Sequence, residues 1–151
     1  MNKPSDPALA IALKYLKVAE RTEAELRSHL GSKGVSEDDA ERVIGLVVAR
    51  KFVSDKRLAE REIELARGPK MAGREKTRAR LLARGADESL VEEAARSYTD
   101  AEETENALRL VSKKYKTSDD PAKAARFLLG RGFGEETVRA VLERFFPGLE
   151  S

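Results

Sequence analysis

Residues able to do covalent or acid–base chemistry are scarce in this chain. The one histidine, His29, sits in a stretch that reads as a helix and is expected at the surface or a boundary, and no His or carboxylate cluster has metal-ligand spacing. There is no cysteine, which excludes disulfides and thiolate metal sites. No glycine is followed by Lys and then Ser or Thr in the frame of a phosphate-binding loop. Gly132 and Gly134 make only a fragment of a dinucleotide fingerprint, and they fall between helices where that motif needs a strand. Carboxylates are plentiful, yet none is flanked by the apolar residues that would raise its pKa. The expectation is a protein with no catalytic residue, no metal and no cofactor, and so not an enzyme.

What remains is charge. The formal net charge is only +2, but 37% of the residues are charged, so their distribution matters more than their sum. Residues 50–84 hold twelve Lys and Arg against five acids, whereas residues 85–106 hold one Arg against eight acids. Such an asymmetry suits either solvated helix faces laced with i,i+4 ion pairs or a polar face that meets a charged partner.

The elements that carry these charges repeat. Leu30 to Gly34, Leu81 to Gly85 and Leu128 to Gly132 each place a leucine four residues before a glycine and a basic residue (Lys33, Arg84, Arg131) immediately before it. A glutamate follows three residues past each glycine (Glu37, Glu88, Glu135), and apolar residues follow at the sixth, ninth and tenth positions. The glycines are 51 and 47 residues apart, the spacing of a repeat array. A helix that ends on a cation and then Gly predicts a left-handed C′ residue, and the apolar set after it has helical period. With a helix before each turn, the prediction is an all-α, elongated, curved array of three tandem three-helix repeats, helix-turn-helix-like units at 8–53, 54–99 and 100–147, nine helices in total.

Within that frame, a polar start with Pro4 and Pro7 precedes a first helix over residues 8–19 with a stripe of Leu9, Ala12, Leu13, Leu16 and Ala19. Thr22 and Glu25 form a capping box for the second helix, and Ser36 caps the third. Ala40, Val43, Ile44, Val47 and Val48 are expected in the core, and Phe52 and Val53 are expected to close the first repeat. Gly68, Pro69 and Gly73 mark a loop between helices, Asp87 caps the helix after it, and Asp120 with Pro121 starts another. No apolar run approaches the ~20 residues of a membrane span, and the first residues lack the order of a signal peptide, so a cytoplasmic location is expected.

The helix, tight turn, helix unit also invites a stand-alone helix-turn-helix DNA-binding protein. In the first two repeats, however, the helix that would enter the groove is acidic, and phosphates would repel it.

In order and spacing, several stretches resemble the RecX regulatory proteins of bacteria. These are Arg21-Thr22-Glu23-Ala24-Glu25-Leu26 up to Lys33-Gly34, Phe52 to Ala59, Gly73 to Leu82 with Arg84-Gly85, and Arg131-Gly132-Phe133. The resemblance covers nearly the whole chain, with departures from the family pattern at Thr22, Ala86 and Gly134. It implies a non-enzymatic modulator of the RecA recombinase that lies in the groove of the RecA–DNA filament. There it would limit filament extension, strand exchange, ATP hydrolysis and repressor cleavage. Some family members also bind DNA weakly, so weak contact with single- or double-stranded DNA is expected here, and no membrane partner and a monomer are expected as well. On this reading Arg57, Arg67, Lys70, Arg74 and Arg78 would face the filament or its DNA, and Arg21, Arg126 and Arg131 would extend that surface to the outer repeats. Asp55 matches the family's capping aspartate, and a structural cap is its expected role.

Overall fold

The structure, a computed structural model, describes residues 6–149, and Pro4 of the polar start lies outside them. Nine α-helices run in chain order: α1 (Pro7–Val18), α2 (Glu23–Ser32), α3 (Glu37–Ala49), α4 (Asp55–Arg67), α5 (Arg74–Ala83), α6 (Glu88–Arg96), α7 (Asp100–Lys114), α8 (Pro121–Gly130) and α9 (Glu135–Phe145). Among the described residues there is no strand.

Local chemistry sets the ends of these helices. The Thr22 hydroxyl accepts from the Glu25 N–H, while the Glu25 carboxylate accepts from the Thr22 N–H at 2.9 Å, which closes the capping box at the start of α2. Thr99 and Glu102 form a second box at the start of α7. Ser36 caps α3, Asp87 accepts from the Leu90 N–H, and Asp120 caps α8 ahead of Pro121. The three repeat glycines are left-handed, with φ of 81° at Gly34, 83° at Gly85 and 95° at Gly132, as a C′ residue requires.

The chain forms two compact units. The first comprises residues up to Ala59 together with Leu81–Val91, and the second comprises Glu60–Arg80 and Glu92 onward, so the middle three helices contribute to both. In the first unit α1, α2 and α3 enclose Ala8, Ala12, Leu26, Leu30, Val43, Ile44 and Val47. In the second, α7, α8 and α9 enclose Ala107, Val111, Ala124, Leu128, Phe133, Val141 and Phe146.

Four sequence expectations are corrected. In α1, Ala12 is buried and Leu9 and Leu16 pack against the core as expected, joined by Ala8, but Leu13, the next position round the helix from Ala12, is exposed, and Ala19 is exposed beyond the helix end. Val48 is exposed because it lies about 100° round the helix from the buried Val47. Phe52 is 50% exposed while Val53 is buried, because the chain turns left-handed at Lys51 and sends the two side chains opposite ways. Finally, some carboxylates do leave solvent: Asp55 is 6% exposed and Glu103 is 1% exposed.

Candidate functional site

Those two buried carboxylates tie helix starts together, and one of them, Glu103, also pairs with a basic residue, Arg74. Asp55, the first residue of α4, accepts the Glu23 N–H with Oδ1 and the Asp87 N–H with Oδ2, both at 3.0 Å, so one side chain caps the starts of α2 and α6. Glu103 of α7 plays the matching part in the second unit. Its Oε2 accepts the Arg74 N–H at 2.7 Å at the start of α5, and its Oε1 accepts from the Thr137 hydroxyl at 3.0 Å. In both cases an acid from the first helix of one triplet caps the middle helix of the preceding triplet.

The glycine turns follow the same rule. The Arg84 carbonyl accepts from the Thr22 hydroxyl at 2.8 Å, and the Arg84 guanidinium binds Glu25 at 2.9 Å and the Glu20 carbonyl. Burial works against the Glu25 carboxylate, but Arg84 and the Thr22 N–H outweigh it and hold Glu25 below the usual carboxylate value. In the second unit the Arg131 carbonyl accepts from the Gly73 N–H at 2.8 Å. A Cβ on Gly85 would lie 2.6 Å from the Ala24 Cβ, and one on Gly132 would lie 2.3 Å from the Lys76 Cβ. Nothing lies within 4 Å of the equivalent point at Gly34.

The loop after α4 is held by side chains on its carbonyls. Asn106 donates to the Arg67 carbonyl at 2.8 Å, Arg131 donates to the carbonyls of Lys70 and Met71, and the buried Tyr98 hydroxyl donates to the Ala72 carbonyl at 2.9 Å. Burial pushes the Tyr98 phenol up. Arg67 bonds Glu64 and the Ser97 carbonyl and lies 3.2 Å from Glu102. Arg74 donates to the Tyr98 carbonyl at 2.6 Å and pairs with Asp100 and Glu103. Burial opposes its charge, yet Asp100, Glu103 and Glu75 together hold it above the ordinary guanidinium value. A groove of about 560 Å³ opens beside it, lined by Arg74, Glu75, Asp100, Glu103, Glu135 and Glu136 among others.

The expected contact residues therefore fall into two kinds. Arg57 (with Glu20 and the Lys51 carbonyl), Arg67, Arg74, Arg78 (with Glu92 and Glu75) and Arg131 are engaged within the protein. The Arg21 guanidinium lies 4.1 Å from the ring centre of Tyr15, and His29 stacks on the same ring at 3.9 Å. Burial, then Lys33 and Arg21, lower the His29 pKa. Lys70 and Arg126 are exposed and make no ion pair among the described residues. Arg21 and Arg57 belong to the first unit and the other six to the second. Sequence reasoning missed Tyr98, Glu103, Asn106 and Thr137, each of which has a partner more than 20 residues away in the chain. Among the described residues no group of three or more His, Cys, Asp or Glu is arranged to hold a metal ion. No helix is long and apolar enough to cross a membrane among them.

The fold and this framework define a helical-repeat protein whose helix triplets are coupled by buried acids and arginine-glycine turns. A family model described as RecX, first three-helix domain, matches residues 8–45. The Regulatory protein RecX of Thermus thermophilus is 36% identical over 126 residues, covering 83% of this chain and 83% of that protein. That of Clostridium tetani is 31% identical over 141 residues, 88% of this chain, and the chain spans 64% of that protein's length. The crystal structure of RecX from Lactobacillus salivarius shares the fold, with a TM-score of 0.80 at 24% identity over 91% of this chain and 93% of that one. The chain belongs to the RecX family.

Proposed function

We propose that this chain is a non-enzymatic regulator of the RecA recombinase that binds in the groove of the RecA–DNA filament. It limits filament extension, strand exchange, ATP hydrolysis and coprotease activity, and it acts in the cytoplasm in recombinational repair and the SOS response. The observation that carries this reading is membership of a family whose relatives are named regulatory proteins. It is supported by side-chain chemistry spent on joining helices, with exposed cations left over for a charged partner.

In this reading Lys70 and Arg126 meet the filament or its DNA directly. Arg57, Arg67, Arg74, Arg78, Arg21 and Arg131 add positive potential while they hold the helix ends and the loop between Arg67 and Arg74. Contact with naked DNA is weak, because the starts of α3, α6 and α9 carry Glu37, Asp38 and Asp39, Glu88, and Glu135 and Glu136. The chain acts as a monomer.

Titration of the chain into RecA hydrolysing ATP on single-stranded DNA tests this function. Inhibition at substoichiometric ratios is expected, because each bound molecule blocks extension beyond itself. An unchanged ATPase rate at stoichiometric excess would count against it.

A further inference from the structure

The paired hydrogen bonds that close a helix with a left-handed residue occur after α2, α3, α5 and α8. Three of these turns hold glycine at the left-handed position, Gly34, Gly85 and Gly132, and the fourth holds Lys51 at φ 63°. A lysine is strained there and a glycine is not. The residue that follows is also unlike its counterparts: Ala86 and Phe133 are buried and Val35 is half-buried, whereas Phe52 is half exposed. It is the one aromatic side chain among the described residues in the exposed class. The turn is braced from behind, because the Arg57 Nη1 donates to the Lys51 carbonyl at 2.8 Å while its Nε and Nη2 hold Glu20 at 3.2 Å. Arg50 and Lys51, just before Phe52 in the chain, and Lys56, four residues after it, are exposed and make no ion pair among the described residues. Val48, near the end of α3, is exposed as well.

We propose that this turn is the anchor of a contact with an acidic protein surface. Phe52 enters an apolar pocket of the partner, and Arg50, Lys51 and Lys56 meet carboxylates at its rim. Complementarity of charge selects an acidic partner, since three exposed cations within four residues of Phe52 along the chain make no ion pair among the described residues. A protein suits the site better than a nucleic acid strand. Strand tracks stack successive bases on several aromatics, whereas Phe52 is a single exposed ring among the described residues, and aromatic residues are enriched in protein interfaces. The strain at Lys51 retains a charge that glycine would forfeit.

The proposal rests on the functional reading above, and the RecA filament is the partner to test. Affinity of the full chain for filaments assembled on single-stranded DNA, and for the same DNA without RecA, is measured for wild type, Phe52→Ala and Lys51→Gly, with Tm for each. Phe52→Ala is expected to weaken filament binding by at least about tenfold, with Tm and affinity for naked DNA unchanged. Lys51→Gly is expected to raise Tm by roughly 2–4 °C while weakening filament binding, a combination that a merely structural residue would not give. Wild-type filament binding matched by Phe52→Ala overturns the anchor alone. Parallel loss of naked-DNA affinity in Phe52→Ala assigns the ring to the nucleic acid and also overturns it. A wild-type chain that does not bind filaments overturns the functional reading, and the anchor falls with it.

Discussion

Asp55 shows how much structural work one buried side chain carries. It accepts from two backbone N–H groups on different elements, so removing it leaves two donors without their partner. Asp55→Ala is expected to cost about 2 kcal/mol, discounted because Asp87 itself is exposed, and Asp55→Asn less, since the amide oxygen can still serve one donor. Urea denaturation measures the cost, and faster amide exchange at Glu23 and Asp87 locates it. Glu25 adds a pH dependence whose sign follows from its lowered pKa. Its contribution is fully present above the ordinary value of 4.5 and is lost as pH falls through the lower value of the folded state. Urea midpoints followed downward from neutral pH are therefore expected to decline less steeply in Glu25→Gln than in wild type across that acid window.

At the scale of the element, the arginine-glycine turn has two jobs that substitution separates. Gly34, Gly85 and Gly132 share a left-handed backbone, but only the latter two nest against the start of another helix. Gly34→Ala is expected to cost about 1 kcal/mol, the backbone penalty alone. Gly85→Ala and Gly132→Ala are expected to cost about 3 kcal/mol or more, because the new methyl would overlap the Cβ of Ala24 or Lys76 and force the joint apart. Equal losses in urea denaturation for all three would show that the nesting contributes nothing. The loop after α4 answers to the same logic. With four of its carbonyls taken by Asn106, Arg131 and Tyr98, it is a fixed surface, and it presents Lys70 outward from a rigid base.

For the whole molecule, the uneven charge along the chain matters more than its small net value. On the proposed function, potential from exposed cations would speed encounter with an anionic filament, and salt screens such a potential over about 10 Å at 0.1 M. The double variant Lys70→Glu/Arg126→Glu is expected to slow association with RecA filaments by about tenfold at low salt, with a smaller effect at high salt and an unchanged Tm. Stopped-flow association across a salt series checks this, and a rate that ignores both salt and the substitutions would exclude steering by these residues.

The helices, most of their caps and the three glycine turns were legible in the sequence because each is decided within a few residues, whereas the Thr99–Glu102 box and the left-handed turn at Lys51 were not read from it. Apolar spacing, a Thr-x-x-Glu box and a cation before glycine fix local geometry whatever the surroundings. RecX resemblance was legible too, since it lies in the order of those same short signals. Tertiary structure alone decided which of the cations are spoken for and which acids are buried. Arg74 meets Glu103 across 29 positions, Arg84 meets Glu25 across 59, and Asp55 reaches Glu23 and Asp87 across 32 each. Whether a charge is a surface feature or a structural bond depends on distances through space, and a local pattern of residues does not contain them.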